Sequence, residues 1–391
     1  MRISILNAGQ QTDYLYGLVS GLSEIPHMEI EVVDSDSAVG VFEKFRQVFL
    51  YNLRGDNISP QSIPVKMWRI GRYYIRLCYY TLRTSSKIFH IQWDNSIAFI
   101  DRTLLILYYK LFGKKIVFTA HNVYREERDD KASPIRWLSL KIMYHLVDRI
   151  IVHTARMKEE LCTLFRISSN KVFVVSHGIN NRIQPKGITL DEARKKLNIK
   201  QTAQVILFFG QIDTYKGIET LIDAAALYGK EDPSMVLLIA GKSKRRNEYV
   251  QTLRARAAAV GLLDRIQFFP EHIPEDEVEM YFSAADCVVL PYKKIFQSGV
   301  IFLAYRFGIP LVATDVGSFK EDIIQGETGF ICVPNDPVDL ASGFRKFFQS
   351  NLYHQREETR TRIRAYAEQR YSWTDIGHQT FEIYKDLVKE S

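Results

Sequence analysis

The chain has 391 residues, 46% of them hydrophobic and 25% charged, a composition typical of a folded globular protein long enough for two domains. Its four cysteines (Cys78, Cys162, Cys287 and Cys332) lie far apart in apolar surroundings. This spacing favours reduced thiols in a cytoplasmic protein over a disulfide framework or a zinc site. No apolar run is long enough to span a membrane, and the N-terminus has no signal-peptide pattern. We therefore expect neither a membrane-spanning helix nor a signal peptide.

Positive charge is concentrated in the first half of the chain. The formal net charge is +7, and residues 1–180 carry all of this surplus. Residues 57–93 contain no Asp or Glu. Within them, four basic residues fall on one face of a predicted helix: Lys66, Arg69, Arg72 and Arg76. Four apolar residues fall on another face: Met67, Ile70, Tyr74 and Leu77.

A basic helix with neighbouring aromatic residues is typical of proteins that bind an anionic membrane surface. The alternative is a solvent-exposed face of a helix packed on the core. Nucleic acid is a less favoured partner, because no recognition motif accompanies the charge.

Strands and helices alternate through the first half. The predicted strands are residues 2–6, 28–33, 88–93, 115–120, 149–153 and 172–176. The predicted helices are residues 12–23, 66–84, 98–112, 134–147 and 155–165. Such alternation predicts a parallel sheet with helices on both faces.

The second half repeats this alternation. Its predicted strands are residues 205–209, 235–240, 266–269, 287–291, 310–313 and 329–333. Its predicted helices are residues 216–229, 245–260, 275–284, 299–307, 318–324 and 336–349. The sequence therefore predicts two doubly wound α/β domains, separated in the polar stretch 178–201.

A phosphate-binding turn is predicted at the start of the second half. The apolar strand 205–209 ends at Gly210-Gln211, and Lys216 follows at the start of a predicted helix. Glycine allows the backbone to approach a ligand closely, and lysine supplies positive charge at the carboxyl end of a strand. By itself this pattern is common, so its weight depends on the motifs that follow it.

Further motifs follow in a fixed order. They are Leu238-Ile239-Ala240-Gly241, Ala285-Asp286-x4-Pro291, Gly308-Ile309-Pro310, Gly317-x3-Glu321 and Gly329-Phe330. The first half adds Thr119-Ala120-His121-Asn122 and His177-Gly178-Ile179-Asn180. Together with Gly210-Gln211-x4-Lys216-Gly217, this series resembles the retaining GT-B glycosyltransferases of family 4, also called group 1.

The resemblance implies a GT-B fold, in which two Rossmann-like domains face a central cleft. It implies residues 1–180 as an acceptor-binding and membrane-facing domain and residues 181–372 as a nucleotide-sugar-binding domain. Residues 373–391 would form a closing helix that crosses back to the first domain.

The implied activity is transfer of a sugar, with retention, from a UDP- or GDP-sugar to a glycan or lipid-linked acceptor. Such an enzyme would act in surface polysaccharide or glycolipid biosynthesis. It would be cytoplasmic, peripheral on the inner face of the plasma membrane, and would need neither metal nor cofactor.

The resemblance also implies roles for individual residues. The catalytic residues would be His121 and Lys216. The donor-binding residues would be Gly210, Gln211, Lys216, His272, Ile273, Gln297, Ser298, Gly299 and Val300. The acceptor side would include Gly9, Gln10, His90, Trp93 and His121.

The chain departs from the family pattern at the donor site. Gln211 stands where arginine is usual, and Ile295 and Leu303 stand where members carry two glutamates. Neutral contacts from Gln297 or Ser298 could replace those carboxylates. Two alternatives therefore stay open: a non-catalytic GT-B scaffold or regulatory homologue, and a soluble transferase with a small acceptor.

Overall fold

The computed structural model describes residues 1–8, 12–56, 62–95, 97–124, 133–243 and 246–389. The chain divides into two compact units. The N-terminal unit contains Met1–Gly178 together with Tyr371–Ser391, and the C-terminal unit contains Ile179–Arg370. The N-terminal unit is therefore built from two separate stretches of sequence.

The N-terminal unit is a parallel sheet wrapped by helices. Its elements before residue 178 are β1 (Arg2–Leu6), α1 (Thr12–Ser23), β2 (Glu29–Asp34), β3 (Val48–Asn52), α2 (Ile63–Arg83), β4 (Ile88–Ile91), a π-helical turn (Ile100–Leu104), α3 (Leu105–Leu111), β5 (Lys115–Thr119), α4 (Pro134–Leu146), β6 (Arg149–Val152), α5 (Ala155–Phe165) and β7 (Val172–Val174). The strand order is β3-β2-β1-β4-β5-β6-β7, and every pairing is parallel.

Strand β3 is the strand that the sequence reading missed; the reading also missed the helices Leu190–Lys196, Asn351–His354 and Arg356–Arg370 of the C-terminal unit. It lies at the edge of the sheet, and its residues alternate between half-buried and exposed. Buried parallel strands read as continuous apolar runs, whereas this edge strand carries only a weak pattern that ends at a polar Asn52.

The C-terminal unit repeats this architecture. Its elements are α6 (Leu190–Lys196), β8 (Gln204–Phe209), α7 (Ile218–Glu231), β9 (Met235–Ala240), α8 (Arg246–Ala259), β10 (Ile266–Phe269), α9 (Val278–Ala284), β11 (Cys287–Leu290), α10 (Gly299–Arg306), β12 (Leu311–Thr314), α11 (Phe319–Asp322), β13 (Gly329–Cys332), α12 (Pro337–Phe348), α13 (Asn351–His354) and α14 (Arg356–Arg370). The strand order is β10-β9-β8-β11-β12-β13, again wholly parallel.

The last helix, α15 (Trp373–Lys389), completes the N-terminal unit. It packs on α1, where Gly21 and Gly377 bring the two backbones so close that a Cβ on either would collide with the other. The Trp373 ring fills the space that a side chain at Gly17 would need. Tyr384 is fully buried, and its hydroxyl lies 2.5 Å from Nδ1 of His90 at the end of β4.

A buried ion pair ties α6 to the sheet of the C-terminal unit. Arg194 is 1% exposed, and its guanidinium donates to Asp286 at 2.9 Å. The same carboxylate accepts the backbone N–H of Val205 at 2.7 Å, at the start of β8. The Asp286 side chain therefore holds one end of the central strand in register.

We expect Arg194→Met to destabilise the protein by about 3–5 kcal/mol, because it leaves the Asp286 carboxylate buried with one cation fewer. Urea unfolding should measure this loss. Arg345→Met is the matched control: Arg345 and Glu231 also pair at 2.5 Å, but both side chains are more than 40% exposed. That control should cost less than about 1 kcal/mol. Equal losses in the two variants would contradict the assignment.

Candidate active site

The C-terminal sheet changes direction at β8. This strand lies between β9 and β11, so the chain winds away from it on both sides. In open α/β sheets, ligands bind outside the carboxyl ends of the strands at such a switch point. The residues that follow β8 and β11 are therefore the ones placed to meet a ligand.

Lys216 is held by a tight turn after β8. A 3₁₀ turn covers Thr214–Lys216, Gly217 has φ +68°, and α7 begins only at Ile218. A Cβ at Gly217 would collide with the carbonyl oxygen of Pro291, so only glycine fits this position. The expected helix start at residue 216 is therefore wrong by two residues, because the left-handed glycine separates the lysine from the helix.

The ammonium group of Lys216 lies over an aromatic ring. Its Nζ is 3.7 Å from the ring centroid of Tyr292, which follows β11. Lys216 is only 6% exposed, a burial that favours cation–π attraction. Burial also raises the pKa of Tyr292, which keeps its phenol neutral. The Tyr292 hydroxyl lies 3.2 Å from Oγ of Ser298, so the lysine is linked to the start of α10.

The start of α10 offers backbone donors. Ser298 is its N-cap residue, yet its side chain caps none of the helix N–H groups. The first amides of a helix have no partner within it, and its dipole favours an anion there. A Cβ at Gly299 would meet nothing within 4 Å, so this surface is open. A Cβ at Gly210 would lie 3.4 Å from Val300, which places the end of β8 beside it.

The side-chain amide of Gln297, two residues before α10, is a further feature of this region. Both polar atoms of its side-chain amide are shielded from solvent, and neither has a hydrogen-bond partner among the described residues. Leaving a buried polar group unpaired costs about 1–3 kcal/mol. An amide that turns outward can recover this cost by binding a hydroxyl or a phosphate oxygen.

The remaining predicted donor residues lie along the same edge of the sheet. Gln211 is exposed after β8. His272 and Ile273 follow β10, two strands away from β8, and His272 is exposed. Ile295 and Leu303 are both 7% exposed, so the positions where the family carries glutamates are apolar and buried here.

The N-terminal unit places His121 at the end of β5, in a buried group of aromatic residues. The Trp93 ring stacks on it at 4.7 Å with an interplanar angle of 9°, and Tyr14 meets it edge-on at 4.6 Å. The Gln92 Oε1 oxygen lies 3.1 Å from Nε2 of His121, and Nε2 of His153 lies 3.0 Å from its Nδ1.

His153 and Gln92 require different tautomers of His121. Nδ1 of His153 lies 3.1 Å from the carbonyl oxygen of Val175, which can only accept, so this nitrogen carries the proton. Burial lowers the pKa of His153 to about 3, so the ring is neutral and its Nε2 must accept. This contact therefore requires Nδ1–H on His121, whereas Oε1 of Gln92 can only accept and requires Nε2–H. A neutral ring satisfies one of these two contacts at a time.

The structure places His90 in the interior of the N-terminal unit. It is fully buried, with Nδ1 bonded to Tyr384 and Nε2 2.7 Å from Oγ1 of Thr119. Both ring nitrogens therefore have protein partners, and the place of His90 on the acceptor side stays a prediction. Trp93 is half-buried at the surface. Gly9 and Gln10, also predicted on the acceptor side, lie outside the described residues.

Three residues that sequence reasoning missed organise these sites: Tyr292, Gln92 and His153. Each touches a predicted functional residue that is distant along the chain; His153, for example, lies 32 positions from His121. The available signal was their location in the last residues of a predicted strand (Gln92 and His153) or directly after one (Tyr292), where parallel sheets gather their ligand-facing side chains.

Comparison with known proteins places this architecture in the GT-B class of two-domain α/β folds. The family described as "Glycosyl transferases group 1" matches residues 190–370, and "Glycosyltransferase Family 4" matches residues 59–182. The two models match in succession along the chain, and together they support a group 1 glycosyltransferase of family 4. The resemblance inferred from the motifs and the expected fold class are confirmed.

Individual relatives are distant. D-inositol 3-phosphate glycosyltransferase of Streptosporangium roseum is 28% identical over 60% of this chain and 56% of its own length. The chain thus matches little more than half of that curated relative. Sucrose-phosphate synthase from Thermosynechococcus elongatus has a TM-score of 0.79 at 18% identity, with both chains fully covered. Anabaena HepE, solved with UDP and glucose, has a TM-score of 0.75 at 15% identity, covering 99% of this chain and 100% of HepE.

The buried histidines predict an acid-sensitive fold. Burial lowers the pKa of His90 and His153 to about 3 and that of His177 to about 4, and it places that of His121 well below its usual value. These rings are neutral when folded and gain protons on unfolding. The contribution of the neutral rings to the free energy of unfolding is therefore complete above about pH 6.5. It is lost as the pH falls towards about 3 to 4.

We expect His153→Asn to reduce the slope of unfolding free energy against pH by about 1.4 kcal/mol per pH unit between roughly pH 4 and 6, the contribution of one ring. Urea unfolding at a series of pH values measures the slope. His354→Asn, at an exposed position, should leave it unchanged. A slope in His153→Asn equal to that of the wild type would rule out this origin of acid sensitivity.

Proposed function

We propose that the chain transfers a sugar, with retention, from a UDP- or GDP-sugar to a glycan or lipid-linked acceptor. The observation that carries the proposal is the convergence of Lys216 and the uncapped start of α10 beside Tyr292, at the switch point of the C-terminal sheet. This arrangement suits a diphosphate. The complex of HepE with UDP and glucose lends support to a nucleotide-sugar donor.

The leaving nucleoside diphosphate gains negative charge as the glycosidic bond breaks. Groups placed where that charge develops lower the barrier more than groups that bind donor and transition state equally. Lys216 supplies a cation that is already desolvated and oriented by Tyr292. The amides at Gly299 and Val300 supply neutral donors, so we propose that the diphosphate is held without a metal ion.

His121 is the proposed catalytic residue of the N-terminal unit. Its ring is neutral and its Nε2 lies 3.1 Å from Oε1 of Gln92, so a sugar hydroxyl that replaces Gln92 can form a hydrogen bond with this nitrogen in either tautomer. Trp93 and Tyr14 fix the plane of the ring. Gln211, His272 and Ile273 stay proposed contacts to the donor along the edge of the C-terminal sheet.

A second candidate function is a non-catalytic GT-B scaffold. The observation that favours it is the absence of a carboxylate at Ile295 and Leu303, where the family carries two glutamates; α10 itself contains no acidic residue. Such a protein would bind a nucleotide sugar weakly or not at all, and would not transfer the sugar. Kinetics and binding therefore separate the two candidates.

We expect Lys216→Ala to lower kcat/KM for sugar transfer by at least about 100-fold, the scale for losing one group that stabilises transition-state charge. A coupled assay that detects release of UDP or GDP measures it. Lys230→Ala is the matched control, because Lys230 is an exposed lysine at the far end of α7. Chelation of metal ions with EDTA should leave wild-type turnover unchanged.

Gly299→Glu tests the same phosphate site from α10. The added side chain meets open space, so the variant should fold, yet its carboxylate would occupy the place of the anion. Isothermal calorimetry should show loss of binding of the nucleotide sugar.

Three outcomes would contradict these assignments. Wild-type affinity in Gly299→Glu would place the diphosphate elsewhere, and full turnover in Lys216→Ala would remove the lysine from catalysis. Donor binding without transfer in the wild type would identify the scaffold.

We also propose that the N-terminal unit binds the surface of an anionic membrane, so that the protein acts as a peripheral enzyme on the inner face of the plasma membrane. Helix α2 presents basic residues to solvent and buries only Tyr73, Leu77, Tyr80 and Thr81. Of the four predicted lipid-binding residues, Lys66, Arg72 and Arg76 are exposed. Arg69 is half-buried, with Asp56 at 3.8 Å.

The apolar residues of α2 are divided between the core and the surface. Of the four that the sequence places on one face, Leu77 is buried and Met67 is exposed. We define the exposed apolar patch as seven residues of α2, the π-helical turn and α3: Trp68, Ile75, Tyr79, Leu82, Leu104, Leu107 and Leu111. The two helices are neighbours, because the Tyr108 hydroxyl donates to the carbonyl oxygen of Cys78 at 3.1 Å.

Exposed leucine, isoleucine and aromatic side chains beside arginines are what an interfacial helix needs, since the apolar groups enter the headgroup boundary while the charges meet anionic lipid. Within the described part of the chain, no helix combines the length and the apolar character required to cross a bilayer. Contact through α2 and α3 would therefore be with the surface.

We expect the double variant Lys66→Gln, Arg72→Gln to bind anionic vesicles about 30-fold more weakly, since each cation near such a surface is worth about 1 kcal/mol. Co-sedimentation with vesicles of phosphatidylglycerol and phosphatidylcholine measures this. Ile75→Ser, Leu111→Ser should also weaken binding, whereas Leu164→Ser, an exposed apolar control on α5, should not. Binding of the wild type that is equal on neutral and anionic vesicles, or insensitive to salt, would argue against the surface.

A further inference from the structure

A small, half-open cavity lies at the carboxyl ends of β4 and β5 in the N-terminal unit. Its volume is about 40 Å³, which admits roughly three water-sized groups. Its floor is apolar and is formed by Phe118, Leu140 and Met143. Polar side chains surround it: Gln92, Asp94, Arg102, Thr119, His121 and Asn122. A cavity of this size takes the edge of a larger polar molecule rather than the whole of it.

The charged groups of the cavity neutralise each other. Among the described residues that line it, Arg102 is the single permanent cation and Asp94 the single carboxylate, and Nε of Arg102 donates to Asp94 at 2.7 Å. The Arg102 side chain is 9% exposed and that of Asp94 is 27% exposed. His121 adds no charge, because its lowered pKa keeps it neutral.

The helical turn that carries Arg102 is itself held by hydrogen bonds, and these fix the position of the ion pair. Arg102 belongs to the π-helical turn Ile100–Leu104, a local geometry that is frequent at functional sites. The neighbouring Asp101 carboxylate accepts bonds from the Tyr74 hydroxyl, the Asn95 amide and the backbone N–H of Ile97 at 2.8–3.0 Å. This network holds the turn that carries Arg102, so the pair is oriented before any ligand arrives.

These groups match the edge of an uncharged polyol. Hydroxyl groups both donate and accept, so neighbouring hydroxyls can use the Asp94 carboxylate and the Arg102 guanidinium together. The Trp93 ring forms one wall, and flat aromatic surfaces suit the apolar faces of sugar rings. A phosphate, by contrast, would meet the Asp94 carboxylate beside the one cation that could bind it, and like charges repel.

We propose that this cavity is the subsite that receives the acceptor, and that the Asp94–Arg102 pair selects an uncharged, hydroxyl-bearing acceptor unit over a phosphorylated one. The proposal rests on the proposed glycosyltransferase function for the identity of the acceptor. Asp94 acts by excluding anions as well as by accepting hydroxyl hydrogen bonds. Arg102 acts by donating and by holding Asp94 in place.

The test measures binding to the full chain without a donor. The probes are methyl α-D-glucopyranoside and myo-inositol, with glucose 6-phosphate and inositol 3-phosphate as their charged counterparts. Tryptophan fluorescence is titrated in the wild type and in Trp93→Phe, and the difference isolates binding beside Trp93. We expect at least one neutral probe to produce a Trp93-dependent change, and the charged counterparts to bind at least about 10-fold more weakly.

Asp94→Asn supplies the decisive comparison. It keeps the shape of the side chain but leaves Arg102 as a net positive charge, so the preference should shift towards the phosphorylated probes by at least about 10-fold. Asp56→Asn is the matched control, because it removes one carboxylate from the same unit, at a position outside the cavity. Circular dichroism confirms that both variants are folded.

Three results would overturn the proposal. They are the absence of a Trp93-dependent response to either neutral probe up to 100 mM, equal binding of neutral and phosphorylated probes by the wild type, and an unchanged preference in Asp94→Asn. Titration of the same samples with UDP-glucose and GDP-mannose tests the proposed function separately. Failure to bind a nucleotide sugar, with hexoside binding intact, would reject the donor and keep the subsite.

Discussion

Parallel strand pairing is the constraint on which both candidate sites depend. Every described strand pair in the two sheets is parallel, so within each sheet all carboxyl ends lie along one edge. Residues far apart in the sequence meet there without any dedicated contact motif. Lys216 follows β8 and Tyr292 follows β11, and the neighbouring positions of these two strands bring the ammonium group over the ring.

The two units use this edge in different ways. The C-terminal unit concentrates positive potential from a side chain and a helix start, and α10 contributes no carboxylate to offset it. The N-terminal unit arranges neutral imidazoles, amides and a self-compensated ion pair. On the proposed function, the first arrangement would favour an anion and the second a hydroxyl-rich molecule, as a transferase with two dissimilar substrates requires.

The sequence predicted the alternation of strands and helices and the glycine turn that precedes Lys216, because these are local patterns with short spacings. It could not predict the cation–π contact, since nothing local links Lys216 to Tyr292. His90 shows the limit most clearly: a strand-end histidine can face the ligand or the interior, and a tyrosine on the final helix decided the outcome. Edge strand β3 escaped detection because its half-exposed residues lack the apolar continuity of its neighbours.

The docking of α15 has a consequence for biosynthesis. The N-terminal unit needs Trp373 beside Gly17 and Tyr384 against His90, but about 190 residues of the C-terminal unit are translated before them. The C-terminal unit is continuous and can reach its native state as soon as it leaves the ribosome. The first 178 residues must wait for these contacts until α15 has been translated. Folding of the two units is therefore expected to finish in the reverse of the order in which they begin.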